Sequence, residues 1–208
     1  QRQMCIRDRD QTIVSHGGIA LMDFSDPAHP VLTPVDFDFR RAGYAVILVD
    51  THCDHSLHTH EFSQIPADMQ RVARLLGKDV LGQVNPAAFY RRLPEVRAAA
   101  GDRATLRALH FFHEDDLVMR RVRALRAGDM ASFLKWTNAS GISSAQYLQN
   151  VSSGGSDQPA AVALALADIV LDGRGAFRIH GGGFGGTIQA YVPLDLVPEF
   201  CERMNGWL

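Results

Sequence analysis

Apolar and polar positions along this chain form two kinds of pattern. Residues 44–50, Tyr-Ala-Val-Ile-Leu-Val-Asp, are a nearly unbroken apolar run, the pattern of a strand covered on both faces. Shorter strand-like runs precede it at 19–24 and 31–35, joined by a connection at 25–30 that carries two prolines. Ahead of these, residues 10–16 read as a short helix closed by Gly17 and Gly18. From Pro66 onward helical spacing dominates. Pro66 opens a helix with Met69, Val72, Leu75 and Leu76 on one face and Gly77 after it. Asn85-Pro86 opens a second, interrupted near Pro94. A third spans about 103–126, with Leu106, Leu109, His110, His113, Leu117, Val118 and Val122 near one face. Gly128-Asp129 is a stop followed by a cap, and short helices are expected at 130–137 and 143–151. Asp157 with Pro159 starts an apolar helix to 171. A strand then leads into five glycines within positions 181–186, a second strand covers 187–192, and a last helix starts at Asp195. Strands and many helices without regular alternation predict an α+β fold.

Composition narrows the class. A chain of 208 residues with 46% hydrophobic and 21% charged residues can bury a real core as one large or two small domains. The formal net charge of −2 gives no general pull toward nucleic acid or an anionic membrane. The longest apolar stretch, 159–171, contains Asp168 and is too short to span a bilayer. Three widely spaced cysteines, Cys5, Cys53 and Cys201, do not form a disulfide framework and suit a reducing cytoplasm. Residues 1–9 carry three arginines, no clear period and no signal-peptide core. They read as a tail foreign to the fold.

Three places hold candidate chemistry. The glycine run contains Gly181-x-Gly183-x-x-Gly186, a literal dinucleotide fingerprint, but that motif needs a helix directly after it. Here a strand follows, and there is no Gly-Lys-Ser/Thr of a Walker loop. Two explanations of the glycines remain: torsions that other residues resist, or a backbone or phosphate lying very close. The second place is the stretch 52–60, with four histidines, His52, His55, His58 and His60, and Cys53. Its spacing fits no standard zinc site, and alternation along an extended segment divides the ligands. It reads as a polar loop, with a metal-binding module as its alternative. The third is Asp10, which by itself is a helix N-cap.

Taken together, four segments resemble the galactokinase family of the GHMP small-molecule kinase superfamily. Asp10-Gln11 with Gly17-Gly18 and Asp23-Phe24 is similar to that family's Asp-Gln segment. His55-Ser56-Leu57 with Glu61-Phe62 is similar to its His-x-Leu…Glu-Tyr segment. Ser140-Gly141-Ile142-Ser143-Ser144 with Leu148-Gln149-Asn150 resembles its helical Ser-rich region, and 178–190 its third motif, the most specific of the four. The resemblance runs from Asp10 to about Pro193.

The resemblance implies a ferredoxin-like antiparallel sheet packed with helices, the C-terminal domain of such kinases, at 36–208. A remnant of the N-terminal kinase domain is then expected at 10–35 and a non-family tail at 1–9. It implies ATP-dependent phosphorylation of galactose, with ATP and Mg2+ as the family's cofactors and galactose and ATP as partners. Asp10 takes the place of the base or orienter beside the anomeric hydroxyl. Phe62 takes the place of the sugar-contacting tyrosine, without its hydroxyl. Gly181, Gly182, Gly183, Gly185 and Gly186 match the motif that supports the nucleotide site. No metal ligand is assigned, because the family's Gly-Leu-Ser-Ser-Ser phosphate loop and magnesium-binding glutamate have no counterpart in this sequence. The family's early sugar-holding Gly-Glu-His-Thr-Asp segment is not matched either, and Arg7 stands where the family has glycine. The expectation is a truncated chain joined to unrelated sequence, inactive alone, with exposed apolar surface and self-association. A non-catalytic sugar sensor and a kinase for a related sugar such as N-acetylgalactosamine are the alternatives.

Overall fold

The computed structural model describes residues 17–24, 29–53, 59–152 and 154–208. An antiparallel hairpin of β1 (Ala20–Asp23) and β2 (Val31–Pro34) comes first, followed by β3 (Tyr44–Asp50). A long helical section follows: α1 (Thr59–Leu75), a 3-10 turn (Leu81–Gln83), α2 (Pro86–Arg91), α3 (Leu93–Ala100), α4 (Asp102–Arg126) and α5 (Met130–Ser143). A π turn (Ser144–Leu148) extends α5, and α6 (Pro159–Leu171) leads to β4 (Ala176–Ile179), β5 (Thr187–Pro193) and α7 (Val197–Trp207). The main sheet is antiparallel in the order β3-β5-β4. Helices packed on an antiparallel sheet bear out the α+β expectation.

The two faces of this sheet follow from period two. On one face Ile47 and Val49 of β3, Ile188, Ala190 and Val192 of β5, and Ile179 of β4 pack with Ala163, Ala167 and Leu171 of α6 and Phe200 and Met204 of α7. On the other, Tyr191 and Ala176 join Phe133 of α5 and Val122 and Leu125 of α4, with Ile19, Leu21, Val35 and Phe39 closing over them. Phe39 and Phe133 both lie with ring centroids about 5 Å from Tyr191, a spacing favourable for aromatic pairs. A third core lies wholly among helices: Val72 and Ala73 of α1, Leu81, Phe89, Val96, and Ala104, Ala108 and Phe112 of α4.

Two charge clusters, one buried and one half-buried, tie α4 to its neighbours. Asp68 on α1 is buried and accepts from Arg107 (2.7 Å), itself buried, and from Arg103 (3.1 Å). Further along α4, Glu114 accepts from Arg121 (2.6 Å), from the Ser140 hydroxyl of α5 (2.7 Å) and from Arg178 of β4 (3.4 Å). Burial pushes the Arg178 guanidinium below its ordinary pKa, and the Glu114 carboxylate opposes that shift.

Several elements differ from the sequence expectation. β3 is covered on one face only: Val46 is 43% and Leu48 54% exposed, because β3 lies at the edge of the sheet among the described residues and the α4–α5 layer stops over β4 and β5. The first long helix begins at Thr59, not Pro66, which lies inside it. Proline removes one internal bond and a sequence reading takes it as a start, but packing of Val72 and Ala73 carries the helix through. Leu75, assigned to the packed face, is 38% exposed. The expected pair 130–137 and 143–151 is one α-helix continued by the π turn. The cap of α6 is Gln158 rather than Asp157, and the last helix starts at Val197 rather than Asp195. The caps at Asn85, which accepts from Ala87 N–H (2.9 Å), and at Asp129, which accepts from Ser132 N–H (3.0 Å), are as expected. The helix expected at 10–16 lies outside the described residues.

Candidate functional site

The glycine run is the loop of the β4–β5 hairpin. His180 N–H donates to Thr187 C=O (3.0 Å), closing the ladder. Gly181, Gly183, Gly185 and Gly186 all have positive φ, and so does Phe184 at 48°. Two of the glycines are also pressed by neighbours. A Cβ on Gly183 would overlap the Asn150 carbonyl oxygen, and one on Gly185 would lie 2.5 Å from the Cys53 sulfur. Both explanations left open by the sequence therefore apply: unusual torsions, and another backbone at close range.

Three separated segments hold this loop. From β3, Thr51 donates its N–H (2.8 Å) and its hydroxyl (3.0 Å) to Gly186 C=O, and Cys53 packs on Gly185. From α1, Phe62 meets Phe184 edge to face with ring centroids 5.1 Å apart. From the end of the π turn, Asn150 accepts from Phe184 N–H and donates its side-chain amide to Gly182 C=O (2.9 Å). Gln149 in the left-handed conformation (φ 59°) ends the π turn and precedes this contact. Asn150 is buried, and its side-chain oxygen has no hydrogen-bond partner among the described residues. A small recess opens beside the hairpin, lined by Cys53, Val151, Ser152, Phe184 and Gly185 and, from the start of α6, by Asp157 and Gln158. A broader hollow on the flank of α1, by Gln70, Arg71 and Arg74, involves none of the expected site residues.

The structure thus brings Phe62 and Gly181, Gly182, Gly183, Gly185 and Gly186 together. Asp10 lies outside the described residues. So do His55 and His58; His52 is exposed and its N–H bonds the Asp50 side chain (2.9 Å), while the His60 ring contacts Gln64 (3.2 Å). Among the described residues no three His, Cys, Asp or Glu side chains converge as metal ligands. The hairpin offers no carboxylate, and its Phe184 N–H and Gly182 and Gly186 carbonyls are already bonded within the protein. Cys53 and Asn150 are structural partners of the loop that sequence reasoning missed as such. Asn150 stood inside a quoted motif with no role, and Cys53 was weighed only as a ligand. Their signal is tertiary proximity, which spacing does not carry.

No protein-family model matches the chain. The solved structure of Lactococcus lactis galactokinase complexed with galactose superposes with a TM-score of 0.67 at 20% identity, over 85% of this chain and 43% of that one. The chain therefore shares the fold of the matched part of that structure. Curated galactokinases match in sequence as well. That of Actinobacillus pleuropneumoniae serotype 5b (strain L20) is 30% identical over 161 residues, 73% of this chain and 38% of that protein. That of Actinobacillus succinogenes is 30% identical over 183 residues, 85% and 45%. That of Haemophilus influenzae (strain Rd) is 31% identical over 165 residues, 79% and 40%. The chain is similar to these galactokinases over most of its own length, and it spans less than half of theirs.

Proposed function

We propose that this chain carries part of the site of a galactokinase, which transfers a phosphoryl group from ATP to the anomeric hydroxyl of galactose. The observation that supports the reading is the meeting of three distant motif segments, around Phe62, Asn150 and Gly181–Gly186, at one hairpin. In this reading residues 36–208 form the C-terminal kinase domain and 10–35 belong to the preceding one. The hairpin shapes the nucleotide side of the site, Phe62 borders the sugar, and Asp10 is base or orienter. ATP and Mg2+ supply the phosphoryl group and the charge that stabilises its transfer. A cytoplasmic setting suits the free thiols of Cys53 and Cys201.

Phosphoryl transfer depends on positioned charge, and this sequence contains no serine-rich phosphate loop. The chain alone is therefore inactive in this reading. A coupled ADP-release assay with galactose and ATP tests it: no turnover above background is expected, and turnover abolished by Asp10→Asn would overturn the inactivity. Joining the chain to the N-terminal portion of a galactokinase relative tests the kinase reading itself. Restored turnover supports it, whereas sugar and ATP binding without turnover marks a sensor. Phe62 in place of tyrosine favours a second reading, altered sugar specificity. A panel with N-acetylgalactosamine on the joined protein checks it.

A further inference from the structure

α4 presents three polar side chains, Arg107, His110 and Glu114, toward α5 and the π turn that continues it. Their spacing of i, i+3 and i+7 puts them on one face of the helix. Glu114 accepts from the Ser140 hydroxyl (2.7 Å), His110 Nδ1 meets the Ser143 hydroxyl (2.9 Å), and Arg107 Nε donates to Leu148 C=O (3.4 Å). From Glu114 to His110 is four residues, matched by three from Ser140 to Ser143. From His110 to Arg107 is only three, against five from Ser143 to Leu148. The π turn takes up the excess, and Arg107 holds its far end, where a helix leaves carbonyls without internal partners. Local bonding does not favour this turn. The Ser144 hydroxyl and Asn150 Oδ1 are buried without partners among the described residues, whereas a serine in a regular helix can reach the carbonyl four residues back. π turns are rare, and this one is held by its tertiary contacts.

Arg107 is tied on its other side to α1. Its Nη1 donates to Asp68 (2.7 Å), and both side chains are buried. Asp68 follows Phe62 on α1, and Leu148 precedes Asn150 at the end of the π turn. Phe62 packs on Phe184, while Asn150 bonds Phe184 N–H and Gly182 C=O. One guanidinium thus joins two elements that grip the hairpin. A buried ion pair adds little stability over apolar packing, and fixing a register is its best attested use. We propose that Arg107 is a positioning residue for the glycine hairpin: bonded at once to Asp68 and Leu148, it sets where the π turn ends and so where Asn150 meets Gly182 and Phe184. Lysine keeps the charge for Asp68 but lacks the fork that directs a second bond. The consequence for turnover rests on the kinase reading, in which the hairpin shapes the nucleotide side.

Amide hydrogen exchange on the full chain tests the positioning without activity. In Arg107→Lys, protection of Phe184 N–H falls about tenfold more than that of Ala190 in the middle strand. Arg103→Gln loses a bond to the same Asp68 carboxylate (3.1 Å) and leaves Phe184 and Ala190 in step. Equal losses at Phe184 and Ala190 in Arg107→Lys overturn the proposal, as does an equal Phe184 effect in Arg103→Gln. The unmodified chain in rising urea gives a reading independent of how the variants fold. Phe184 N–H loses protection with Arg107 Nε–H or before it, and Phe184 protection that outlasts the arginine bond overturns the proposal. In the chain joined to the N-terminal portion of a relative, Arg107→Lys raises KM for ATP by about tenfold and leaves KM for galactose unchanged. A lower kcat with both KM values unchanged is the mark of a folding defect and counts against positioning. Absence of turnover in the unmodified joined protein overturns the kinase reading alone, and the exchange result still decides the role of Arg107.

Discussion

Along β4 the outward N–H of Phe177 is accepted by the Asn138 side chain (3.0 Å), and the same amide donates to Gly175 C=O (3.2 Å). Along β3 the outward groups of Tyr44, Val46, Leu48 and Asp50 meet no described strand. The two edges share a sheet and a backbone chemistry, and differ in whether a helix reaches them. α5 reaches β4 because Gly141 has no side chain; a Cβ there would lie 2.9 Å from Phe177 C=O and 3.3 Å from Arg178 Cβ. Glu114 then draws Arg178 of β4 toward α4, with Ser140 of α5 on the same carboxylate. Closing an edge thus takes a close-approach glycine, an amide with both a donor and an acceptor, and a charge pair beneath it.

This contrast can be broken from the closed side. Glu114→Ala strands Arg178 and Arg121 in a half-buried site and is expected to destabilise the fold by about 3–5 kcal/mol, read by urea denaturation of the dilute chain. Asn138→Leu leaves the Phe177 N–H and Gly175 C=O unsatisfied, for about 1–3 kcal/mol, and makes the β4 amides exchange faster. A smaller effect concerns pH. His110, buried beside Ser143 (2.9 Å), has its pKa held below the ordinary value chiefly by burial, with Arg178 and His113 adding to the shift and Glu114 and Ser143 opposing it. The unfolded chain therefore binds a proton first, and stability falls as pH drops through about 6.5 toward the folded value. His110→Gln removes that slope in melts recorded between neutral and mildly acidic pH. The smallest effect belongs to the open side: Leu48→Thr changes monomer stability by no more than about 0.5 kcal/mol, since little packs against it.

The spans of the strands were more legible in the sequence than which of their edges and faces are covered. The span of β3, the caps at Asn85 and Asp129, and the strand after the glycines follow from local rules. The continuous apolar run of β3 nevertheless predicts two covered faces. An edge strand with one bare apolar face has the same residues, and only the sheet order separates the cases. Pro66 inside α1 is a similar failure, because local propensity favours a helix start and tertiary packing prevails. At the site, the glycines announced unusual torsions, but Asn150 and Cys53 come from segments 33 and 132 positions away. Distance in sequence, not weak chemistry, hid them.

The register of β3 on β5 has a consequence in time. Tyr44 pairs with Pro193 and Asp50 with Thr187, so the partner of β3 is made more than a hundred residues after it. At about 5–20 residues per second, β3 waits roughly 7–30 seconds after its own synthesis with both edges bare. A strand rich in valine, isoleucine and leucine is exposed to chaperones and to neighbouring nascent chains throughout that interval. Until β5 is made, the apolar residues of β3 have only the segments already synthesised to pack against.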